Sequence, residues 1–532
     1  MMNVVRKLWG YYRKNGCKLL LLKLMDRHRG NPDHYMEWRA KNKASAEILE
    51  KQSAEKFRSD LIISIAVPVY HTPEKFLREM IESVQNQSYS GWELCIADGS
   101  KDESTYLIIQ EYAKNDTRIK VKKLNENKGI ADNTNAAIDM CTGNYIGLLD
   151  HDDLLEPDAL YEIRKAVDKN QDVDVIYTDE DKISVDGKVF FDPHFKSDYN
   201  RELLRSNNYI CHFFVVKKEI LERVGGLRNK YDGAQDYDFI LRCTENAKTT
   251  VHVARPLYHW RAHRDSTAEN PESKMYAYQS GKKAIEDHLK RQGEKAKVQY
   301  TDFPGFYHVK YEIVSPDWVT VAILKQNCKT KQIDKCISSI KRTIGYSNYN
   351  ICTVNSITDL SEKSIKGKYI LLINGTISMI SHNWMEELLG ACQRERTGAV
   401  GIKLYNKDET IKHAGIILGM NGYAFEGWPR VRQGYFHRDA LMQNLNAVTQ
   451  NFILVSKELF FAIKKEIPGK MADEIQFCQR IRERNKEIIY NPNVEAYIHV
   501  KTGIGEMKTI IHDNYYNVNL DLDSTGYRLK HK

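Results

Sequence analysis

The chain has 532 residues, of which 42% are hydrophobic and 28% are charged, so it can build a substantial core and needs no large disordered part. Its length predicts roughly three domains. The ten cysteines include no Cys-x-x-Cys pair, which argues against a structural zinc site or a secreted, disulfide-stabilised protein and favours a reducing, cytoplasmic setting.

The net charge of +8 is concentrated at the N-terminus. Residues 1–43 hold eleven Lys or Arg and three acidic residues, an excess of eight positive charges that equals that of the whole chain. The rest of the chain is close to neutral, and we expect no nucleic acid among the partners. We predict that residues 1–60 form a basic helical N-terminal segment.

One face of this segment is apolar. Val5, Leu8, Trp9 and Tyr12 recur at helical spacing among basic residues. A second apolar cluster, at residues 19–22, is too short to span a bilayer and lacks the cleavage site of a signal peptide. Two interpretations stay open for residues 1–43: attachment to an anionic membrane surface at the inner face of the cell membrane, or packing on the body of the protein with a solvated basic face.

From residue 62 onward, strand-like runs alternate with amphipathic helix-like runs. We predict strands over residues 62–69, 92–98, 118–124 and 145–149, and helices over residues 72–85, 103–114 and 130–140. Such units are typical of a Rossmann-like α/β fold with a parallel sheet that is covered on both faces. Ligands of these sheets bind beyond the carboxyl ends of the strands. We therefore expect the ligand edge at residues 68–70, at Asp98 and at residues 150–153.

The chain also repeats itself. Residues 143–150 (GNYIGLLD) align with residues 367–374 (GKYILLIN), and residues 236–242 align with residues 474–480. This pattern predicts two copies of one fold in tandem. We expect a catalytic domain at residues 61–295, a second domain at 316–510 and a C-terminal tail at 511–532.

The two copies differ at the ligand edge. Asp150 and Asp152 of the first copy correspond to Asn374 and Thr376 of the second. Because the second copy lacks these carboxylates, we expect it to be degenerate.

Three carboxylates follow the fourth predicted strand within four positions: Asp150, Asp152 and Asp153. They would repel one another unless a cation lies among them. A hard divalent cation, Mn²⁺ or Mg²⁺, prefers oxygen ligands and commonly joins protein carboxylates to a diphosphate. The alternative is that the acids cap a helix that begins near Glu156. Asp98, in turn, is placed either to accept hydrogen bonds from a nucleobase or ribose, or to form an ordinary Asp-Gly-Ser turn.

Four motifs in this order and spacing resemble the family 2 glycosyltransferases of the A-type nucleotide-sugar fold. They are VPVY at residues 67–70, WEL to DGS at 92–100, NKG to NTN at 127–135, and LDHDD at 149–153. The resemblance covers about residues 62–290. Residues 177–182 (YTDEDK) and 258–266 (YHWRAHRDS) are similar to the bacterial branch that builds cell-surface polysaccharides, often with two such domains in tandem.

The resemblance implies roles for individual residues. Asp98 would contact the base, Asp150 the ribose or the metal ion, and Asp152 the metal ion that bridges the diphosphate. The general base would be Asp236, although the preceding residue is Gln235 where the family usually has Glu. The full set implied for nucleotide-sugar binding is Pro68, Tyr70, Asp98, Asn135, Asp150 and Arg261, and the set implied for the metal is Asp150, Asp152 and His263.

Several of these roles have alternatives. Arg261 would stabilise the departing diphosphate or simply pack, and His263 would be a ligand or a structural residue. Asp179 and Glu180 would face the acceptor or belong to a turn.

The expected function is that of an inverting, metal-dependent glycosyltransferase. It would move a sugar from a nucleotide diphosphate donor to a growing cell-surface polysaccharide or lipid-linked glycan, with Mn²⁺ or Mg²⁺ as cofactor. The alternative is a non-catalytic scaffold that binds nucleotide sugar or glycan within a polysaccharide-synthesis complex. Sugar-nucleotide synthesis is disfavoured, because residues 69–73 (VYHTP) contain no glycine-rich phosphate loop.

Overall fold

The computed structural model describes residues 34–57, 59–170, 172–262, 275–466, 474–499 and 512–530. The apolar face predicted for residues 5–12 lies outside these ranges. The first described elements are helices α1 (Tyr35–Asn42) and α2 (Ala46–Ala54). Helix α1 packs on the body of the protein, because the buried Tyr35 donates its hydroxyl to Asp181 and Trp38 packs against Phe195 with ring centroids 5.1 Å apart. No helix within the described ranges combines the length and the hydropathy needed to cross a membrane.

The first half of the chain forms a nine-stranded sheet with helices between its strands. In chain order its elements are β1 (Ile63–Val69), α3 (Glu74–Gln85), β2 (Trp92–Asp98), α4 (Ser104–Asn115), β3 (Ile119–Lys123), α5 (Ile130–Ile138), β4 (Tyr145–Leu148), β5 (Leu154–Leu155), α6 (Ala159–Lys169), β6 (Val175–Ser184), β7 (Phe190–His194), α7 (Arg201–Ser206), β8 (Phe214–Lys217), α8 (Lys218–Val224), α9 (Gln235–Asn246), β9 (Thr250–Ala262) and α10 (Met275–Arg291). The strands and helices predicted before residue 150 are all present, with ends that agree within two residues.

The strand order of this first sheet is β3-β2-β1-β4-β8-β6-β9-β5, and β7 pairs with β6. Strands β1 to β4 are parallel, as predicted, but β8 runs antiparallel to both β4 and β6. The predicted parallel sheet is thus present from β1 to β4, and the antiparallel β8 departs from it. The physical reason is that a β6–β7 hairpin and the short helix α7 precede β8, where a parallel connection would need a longer crossover helix.

A hairpin of β10 (Ala296–Tyr300) and β11 (Tyr307–Tyr311) leads to a second nine-stranded sheet. Its elements are β12 (Val319–Leu324), α11 (Thr330–Thr343), β13 (Tyr349–Val354), β14 (Tyr369–Asn374), β15 (Ser378–Met379), α12 (Trp384–Cys392), β16 (Thr397–Tyr405), β17 (Ile411–His413), β18 (Gln443–Leu445), β19 (Phe452–Ser456), α13 (Lys457–Glu466), α14 (Glu474–Arg482) and β20 (Glu487–Tyr497). The strand order is β13-β12-β14-β19-β16-β20-β15, with β17 beside β16 and β18 beside β20.

The second sheet has the same strand order and strand directions as the part of the first sheet that runs β2-β1-β4-β8-β6-β9-β5. In both sheets a parallel group is followed by one reversed strand, β8 or β19, and then by a parallel pair, β6–β9 or β16–β20. The last short strand, β5 or β15, then pairs antiparallel with β9 or β20. The two sheets thus place the carboxyl ends of equivalent strands at equivalent edges.

A buried charge network joins the two sheets. Glu202 of α7 accepts hydrogen bonds from Arg394, which follows α12, at 2.8 Å and from Tyr311 of β11 at 2.6 Å. Arg205 and Arg394 both contact Glu294, each at 2.8 Å. Every charge in this network has an opposite partner, which is the condition under which buried ions are tolerated.

The C-terminal segment returns to the first sheet. Asn517 donates to the Asp179 carboxylate at 2.9 Å and to the Lys196 carbonyl at 2.8 Å. Asn519 donates to the carbonyl of Ala254 at 2.8 Å. Residues 512–530 therefore pack against β6 and β9, beside the edge on which the candidate site lies.

Candidate active site

A cavity of ≈ 640 Å³ opens at the carboxyl ends of β1 and β4. Its wall combines these strand ends with the start of α9, one face of α10 and the β10–β11 turn. We call it the first cavity. It brings together three residues that were singled out from the sequence: Pro68, Asp150 and Asp236.

Asp150 lies at the edge of this cavity with 47% of its side chain exposed. Partial removal from water raises the pKa of Asp150, the nearby His212 opposes that rise, and the negative charges of Asp152 and Asp236 add to it. Asp152 is less exposed, at 18%, and lies 3.8 Å from the Nδ1 atom of His151.

The chemistry of this pair fits a divalent cation. Two neighbouring carboxylates repel each other, and a doubly charged ion removes that repulsion. Carboxylate oxygens are also the ligands that Mg²⁺ and Mn²⁺ prefer. Asp150 and Asp152 could therefore hold such an ion.

The third carboxylate of the cluster points into the protein. Asp153 is 1% exposed and accepts hydrogen bonds from the Tyr258 hydroxyl at 2.6 Å and from the Arg261 backbone amide at 2.7 Å. Burial, together with the charges of Asp152 and Asp150, raises the pKa of Asp153 well above its usual range. Hydrogen bonds and a raised pKa thus relieve the repulsion at Asp153, so the expectation that Asp153 needs a neighbouring cation is wrong, and Asp150 and Asp152 remain the candidate ligands.

Asp236 enters the cavity from the first turn of α9. Asn208 donates to its Oδ2 atom at 2.8 Å, and the Cys211 thiol lies 3.7 Å from the same oxygen. The preceding Gln235 accepts a hydrogen bond from the Gly233 amide at 2.8 Å and so holds the turn into the helix. A carboxylate in the first turn of a helix is stabilised by the helix dipole.

The other residues implied for the nucleotide lie outside the first cavity. Asp98 is fully buried and accepts hydrogen bonds from the Ser100 amide at 2.9 Å and from Lys123 at 3.0 Å. Asn135 exchanges two hydrogen bonds of 2.8 Å with the backbone of Leu227, and so braces the loop that leads to α9. Tyr70 is 39% exposed at the end of β1.

Arg261 is fully buried and does not line the cavity. Its guanidinium donates to Glu79 at 2.7 Å and to the Asp152 carbonyl at 2.7 Å. In this arrangement Arg261 holds the turn that carries Asp152 and Asp153. The other implied residue of this segment, His263, lies outside the described residues.

Sequence reasoning missed His212, whose ring contacts Asp150 on one side and Glu180 on the other. Its ring stacks on Tyr258 with centroids 4.5 Å apart, its Nε2 atom is 3.8 Å from Asp150, and its Nδ1 atom is 3.2 Å from Glu180. Burial lowers the pKa of His212, but the neighbouring Cys211 and Glu180 outweigh this effect and raise it well above the usual value. The only sequence signal was a polar Cys-His pair before the apolar strand β8.

Glu180 and Asp179 lie inside strand β6, so the interpretation as a turn is wrong. Lys196 is fully buried and contacts Glu180 at 3.2 Å. Burial raises the pKa of Glu180, but Lys196, His194 and His212 outweigh it and hold that pKa well below its usual range. Glu180 thus contacts both the buried Lys196 and His212, which lines the first cavity.

Aromatic side chains form part of the wall of the first cavity. Trp260, Tyr276, Tyr278 and Tyr307 all line it, and Tyr276 is 54% exposed. Rings with a polar tip offer both an apolar face and a hydrogen-bonding group. Such a wall is suited to a ligand that carries both hydroxyl groups and C–H surfaces.

A different group of ligand atoms lies at the opposite edge of the first sheet. Glu93, Cys95 and Cys141 have ligand atoms within 4.8 Å of one another. However, the Glu93 carboxylate already accepts hydrogen bonds from Lys120 and Ser64, each at 2.6 Å. These contacts assign Glu93 to the packing of the sheet.

Comparison with known proteins supplies the family. Residues 64–225 match the model of Glycosyl transferase family 2. The chain is 33% identical over 493 residues to an uncharacterized protein of Sinorhizobium fredii, an alignment that covers 84% of this chain and 54% of that protein. It is 28% identical over 481 residues to the O-antigen biosynthesis protein RfbC of Myxococcus xanthus, covering 84% of this chain and 37% of RfbC. The chain therefore spans only part of the length of these relatives.

Among solved structures, S. aureus TarS 1–349 in complex with UDP-GlcNAc aligns at 20% identity with a TM-score of 0.35. That alignment covers 43% of this chain and 66% of TarS 1–349. The match of residues 64–225, which carry β1 to β8 and Asp150, to the family model confirms the resemblance of the four sequence motifs to the family 2 glycosyltransferases.

Proposed function

We propose that the first domain, residues 61–295, transfers a sugar from a nucleotide diphosphate to a hydroxyl group of a growing glycan. The observation that carries this proposal is that Asp150 and Asp236 face one cavity at the ligand edge of a family 2 glycosyl transferase domain. Pro68 lines the same cavity, while Tyr70 and Asp98 extend the edge towards β2. The nucleotide would lie along this edge.

Asp236 is the proposed general base. It accepts the proton of the acceptor hydroxyl while that oxygen forms a bond to the anomeric carbon and the bond from that carbon to the diphosphate breaks. The nucleoside diphosphate leaves with the electron pair of the broken bond, and a single displacement of this kind inverts the anomeric configuration. Asn208 orients the carboxylate of Asp236 through the 2.8 Å hydrogen bond.

The negative charge of the diphosphate needs a counter-charge. A bound Mn²⁺ or Mg²⁺, held by Asp150 and Asp152, would neutralise charge on the departing diphosphate. His212 keeps its place beside Asp150 through Glu180 and Tyr258. Arg261 acts as a positioning residue, because it holds the backbone of the turn on which Asp152 lies.

We further propose that the second domain, residues 316–510, is a degenerate copy. It would not use a metal ion to bind a nucleotide-sugar donor. Its sheet has the strand order of the first, but Asn374 and Thr376 stand where the first domain has Asp150 and Asp152. The predicted tail at residues 511–532 would link both domains, since within its described part Asn517 donates to Asp179 and Asp513 accepts from the Leu418 amide.

The acceptor is proposed to be a bacterial cell-surface polysaccharide or its lipid-linked precursor. The alignment with RfbC, a protein named for O-antigen biosynthesis, extends over 84% of the chain and so includes both sheets. The cysteines among the described residues are unpaired, which agrees with a reducing compartment. Attachment of residues 1–43 to an anionic membrane surface would bring the cavity close to a lipid-linked acceptor.

A screen of the full chain against UDP-, dTDP- and GDP-sugars tests the proposal. The thermal midpoint should rise with one class of donor in the presence of Mn²⁺, and that donor should be consumed by hydrolysis or transfer. Asp236→Asn should keep the thermal shift and lose consumption of the donor. A donor that binds to wild type and is never consumed would favour the alternative of a nucleotide-sugar-binding scaffold.

A further inference from the structure

The second domain has a cavity of its own, of ≈ 480 Å³, at the carboxyl edge of its sheet. Thr376 and Ser378 enter it after β14, Lys407 after β16, His499 after β20, and Lys335 from α11. We call it the second cavity. Among the described residues that line it there is no carboxylate.

The register of the strands shows which residues of the first domain correspond to this lining. β15 pairs Ser378 with Tyr497, as β5 pairs Leu154 with His259. His499, two residues after Tyr497, therefore corresponds to Arg261.

The same reasoning places Lys335. β12 pairs Val319 with Tyr369, as β1 pairs Ile63 with Tyr145. Helices α11 and α3 begin at the same distance from these strand starts, at Thr330 and Glu74. By this spacing Lys335 corresponds to Glu79.

In the first domain these two positions form an ion pair. Arg261 donates to Glu79 at 2.7 Å, and both charges are compensated. In the second domain the positions hold Lys335 and His499, so an attractive pair is replaced by two basic groups. Lys335 forms no ion pair with a described residue.

Lys407 adds a further positive charge to the second cavity. Burial lowers the pKa of His499, and the charges of Lys407 and Lys335 lower it further. A lining with two lysines and no described carboxylate suits an anion, just as the neighbouring carboxylates of Asp150 and Asp152 suit a cation. The first turn of the fourteen-residue helix α11 reaches the cavity through Gln332 and contributes partial positive charge.

We propose that the second cavity binds a diphosphate group through Lys335, Lys407 and His499, without a metal ion. The two lysines supply the counter-charge that a metal ion held by carboxylates would supply in the first cavity, and the imidazole of His499 offers a hydrogen-bonding nitrogen. The volume lies within the range of roughly 300–1,000 Å³ that is common for small-molecule sites, so a substituent on the diphosphate has room. A nucleoside diphosphate and a lipid-linked diphosphate both carry this group. The proposal does not depend on catalysis in the first domain.

Calorimetric titration of the full chain with inorganic pyrophosphate in EDTA tests the proposal, because EDTA removes metal-dependent binding. We expect binding to wild type, about tenfold weaker binding to Lys335→Gln, and still weaker binding to Lys335→Glu, which restores the charge found in the first domain. Lys341→Gln is the matched control, since Lys341 is an exposed lysine at the far end of the same helix. Its affinity should stay within about twofold of wild type.

The variant Asp150→Asn locates the site. It should bind pyrophosphate in EDTA as wild type does, because the proposed anion site lies in the other domain. Loss of binding in Asp150→Asn, equal affinities of Lys335→Gln and Lys341→Gln, or no binding to wild type would each overturn the proposal.

Two further ligands distinguish the sources of the diphosphate. UDP that binds more tightly than pyrophosphate would assign the site to a nucleotide, and farnesyl diphosphate that binds more tightly would assign it to a lipid-linked glycan. In either case Lys335→Gln should weaken the preferred ligand by about the same factor as it weakens pyrophosphate.

Discussion

Asp150 and Asp153, two of the acids after β4, have different surroundings. We therefore expect Asp150 to affect ligand binding and Asp153 to affect the stability of the fold. Asp150 is half-exposed at the first cavity, whereas Asp153 is buried and accepts two hydrogen bonds. An exposed carboxylate can be removed at little cost to folding. A buried acceptor cannot, because its donors are left without partners.

The variants Asp153→Ala and Asp150→Ala should therefore behave in opposite ways. Asp153→Ala should lower the free energy of unfolding by about 1–3 kcal/mol, since it leaves the Tyr258 hydroxyl and the Arg261 amide unpaired. Asp150→Ala should leave stability within about 0.5 kcal/mol of wild type and reduce donor binding. Urea denaturation measures both effects. A larger loss of stability in Asp150→Ala than in Asp153→Ala would contradict this assignment.

The Asp236 carboxylate should affect the rate and not the binding of the donor. Removal of a general base lowers turnover by about 10²–10⁴-fold. Asp236→Asn should show a loss of this size in the initial rate of transfer, with a donor dissociation constant close to that of wild type. Asp232→Asn is a useful control. Asp232 lies close to Asp236 in the chain, but its carboxylate does not line the first cavity. Equal rates for Asp236→Asn and wild type would remove Asp236 from the proposed mechanism.

At the level of single residues, the family resemblance pointed to Asp150 and Asp236, and both line one cavity although they are 86 positions apart in the chain. His212 was missed because its proximity to Asp150 arises only from the antiparallel placement of β8 beside β4 and β6. Local sequence patterns carry no information about such non-local pairing.

At the scale of elements, the turn before α9 determines where Asp236 lies. Gly233 has a φ of +88°, a backbone conformation that favours glycine, and a Cβ atom there would lie 2.7 Å from the Tyr276 ring and 2.9 Å from Ala277. Gly225 has a similar φ of +76°, but open space surrounds its missing Cβ. An alanine at either position would therefore have a strained φ, but only at residue 233 would its Cβ atom also collide with neighbouring atoms.

This contrast gives a matched pair of substitutions. Gly233→Ala and Gly225→Ala should each lose about 1 kcal/mol of stability from the strained φ. Gly233→Ala should lose more and should also reduce turnover, because the contact with α10 displaces the start of α9. Thermal unfolding and initial rates would be measured for both. Similar turnover in the two variants would show that the position of α9 is not controlled by this turn.

The elements of the first sheet were predicted better than their connections. Alternating apolar runs located β1 to β4 and α3 to α5, since each has a clear period. The pattern failed at β8, a four-residue buried strand whose direction depends on the preceding hairpin and helix. Periodicity reports burial along a segment and not the direction in which that segment enters a sheet.

At the scale of the whole molecule, the network around Glu202 connects the two domains. Burial alone would raise the pKa of Glu202, but Arg394 and Arg205 outweigh it and lower that pKa to about 2. The usual value for glutamate is 4.5. Because the folded state has the lower pKa, the ionised Glu202 contributes stability above pH 4.5, and this contribution is lost as the pH falls towards 2.

The pH dependence of stability tests this connection. Between pH 4.5 and 2, the free energy of unfolding of wild type should fall more steeply than that of Glu202→Gln, which cannot titrate at this position. At neutral pH, Glu202→Gln should be the less stable protein, because Arg394 and Arg205 lose a buried counter-charge. Urea denaturation at several pH values measures both. Parallel curves for the two proteins would show that the network does not stabilise the folded chain.

The most direct test of the central claim is the metal dependence of nucleotide binding in the first cavity. Affinities for UDP, dTDP and GDP would be measured with Mn²⁺ and with EDTA, on wild type, Asp152→Asn and the exposed-surface control Asp139→Asn. The account predicts that Mn²⁺ strengthens binding of at least one nucleotide to wild type and to Asp139→Asn, and that Asp152→Asn loses this gain. Equal gains in Asp152→Asn and wild type, or no effect of Mn²⁺ on any of the three nucleotides, would contradict it.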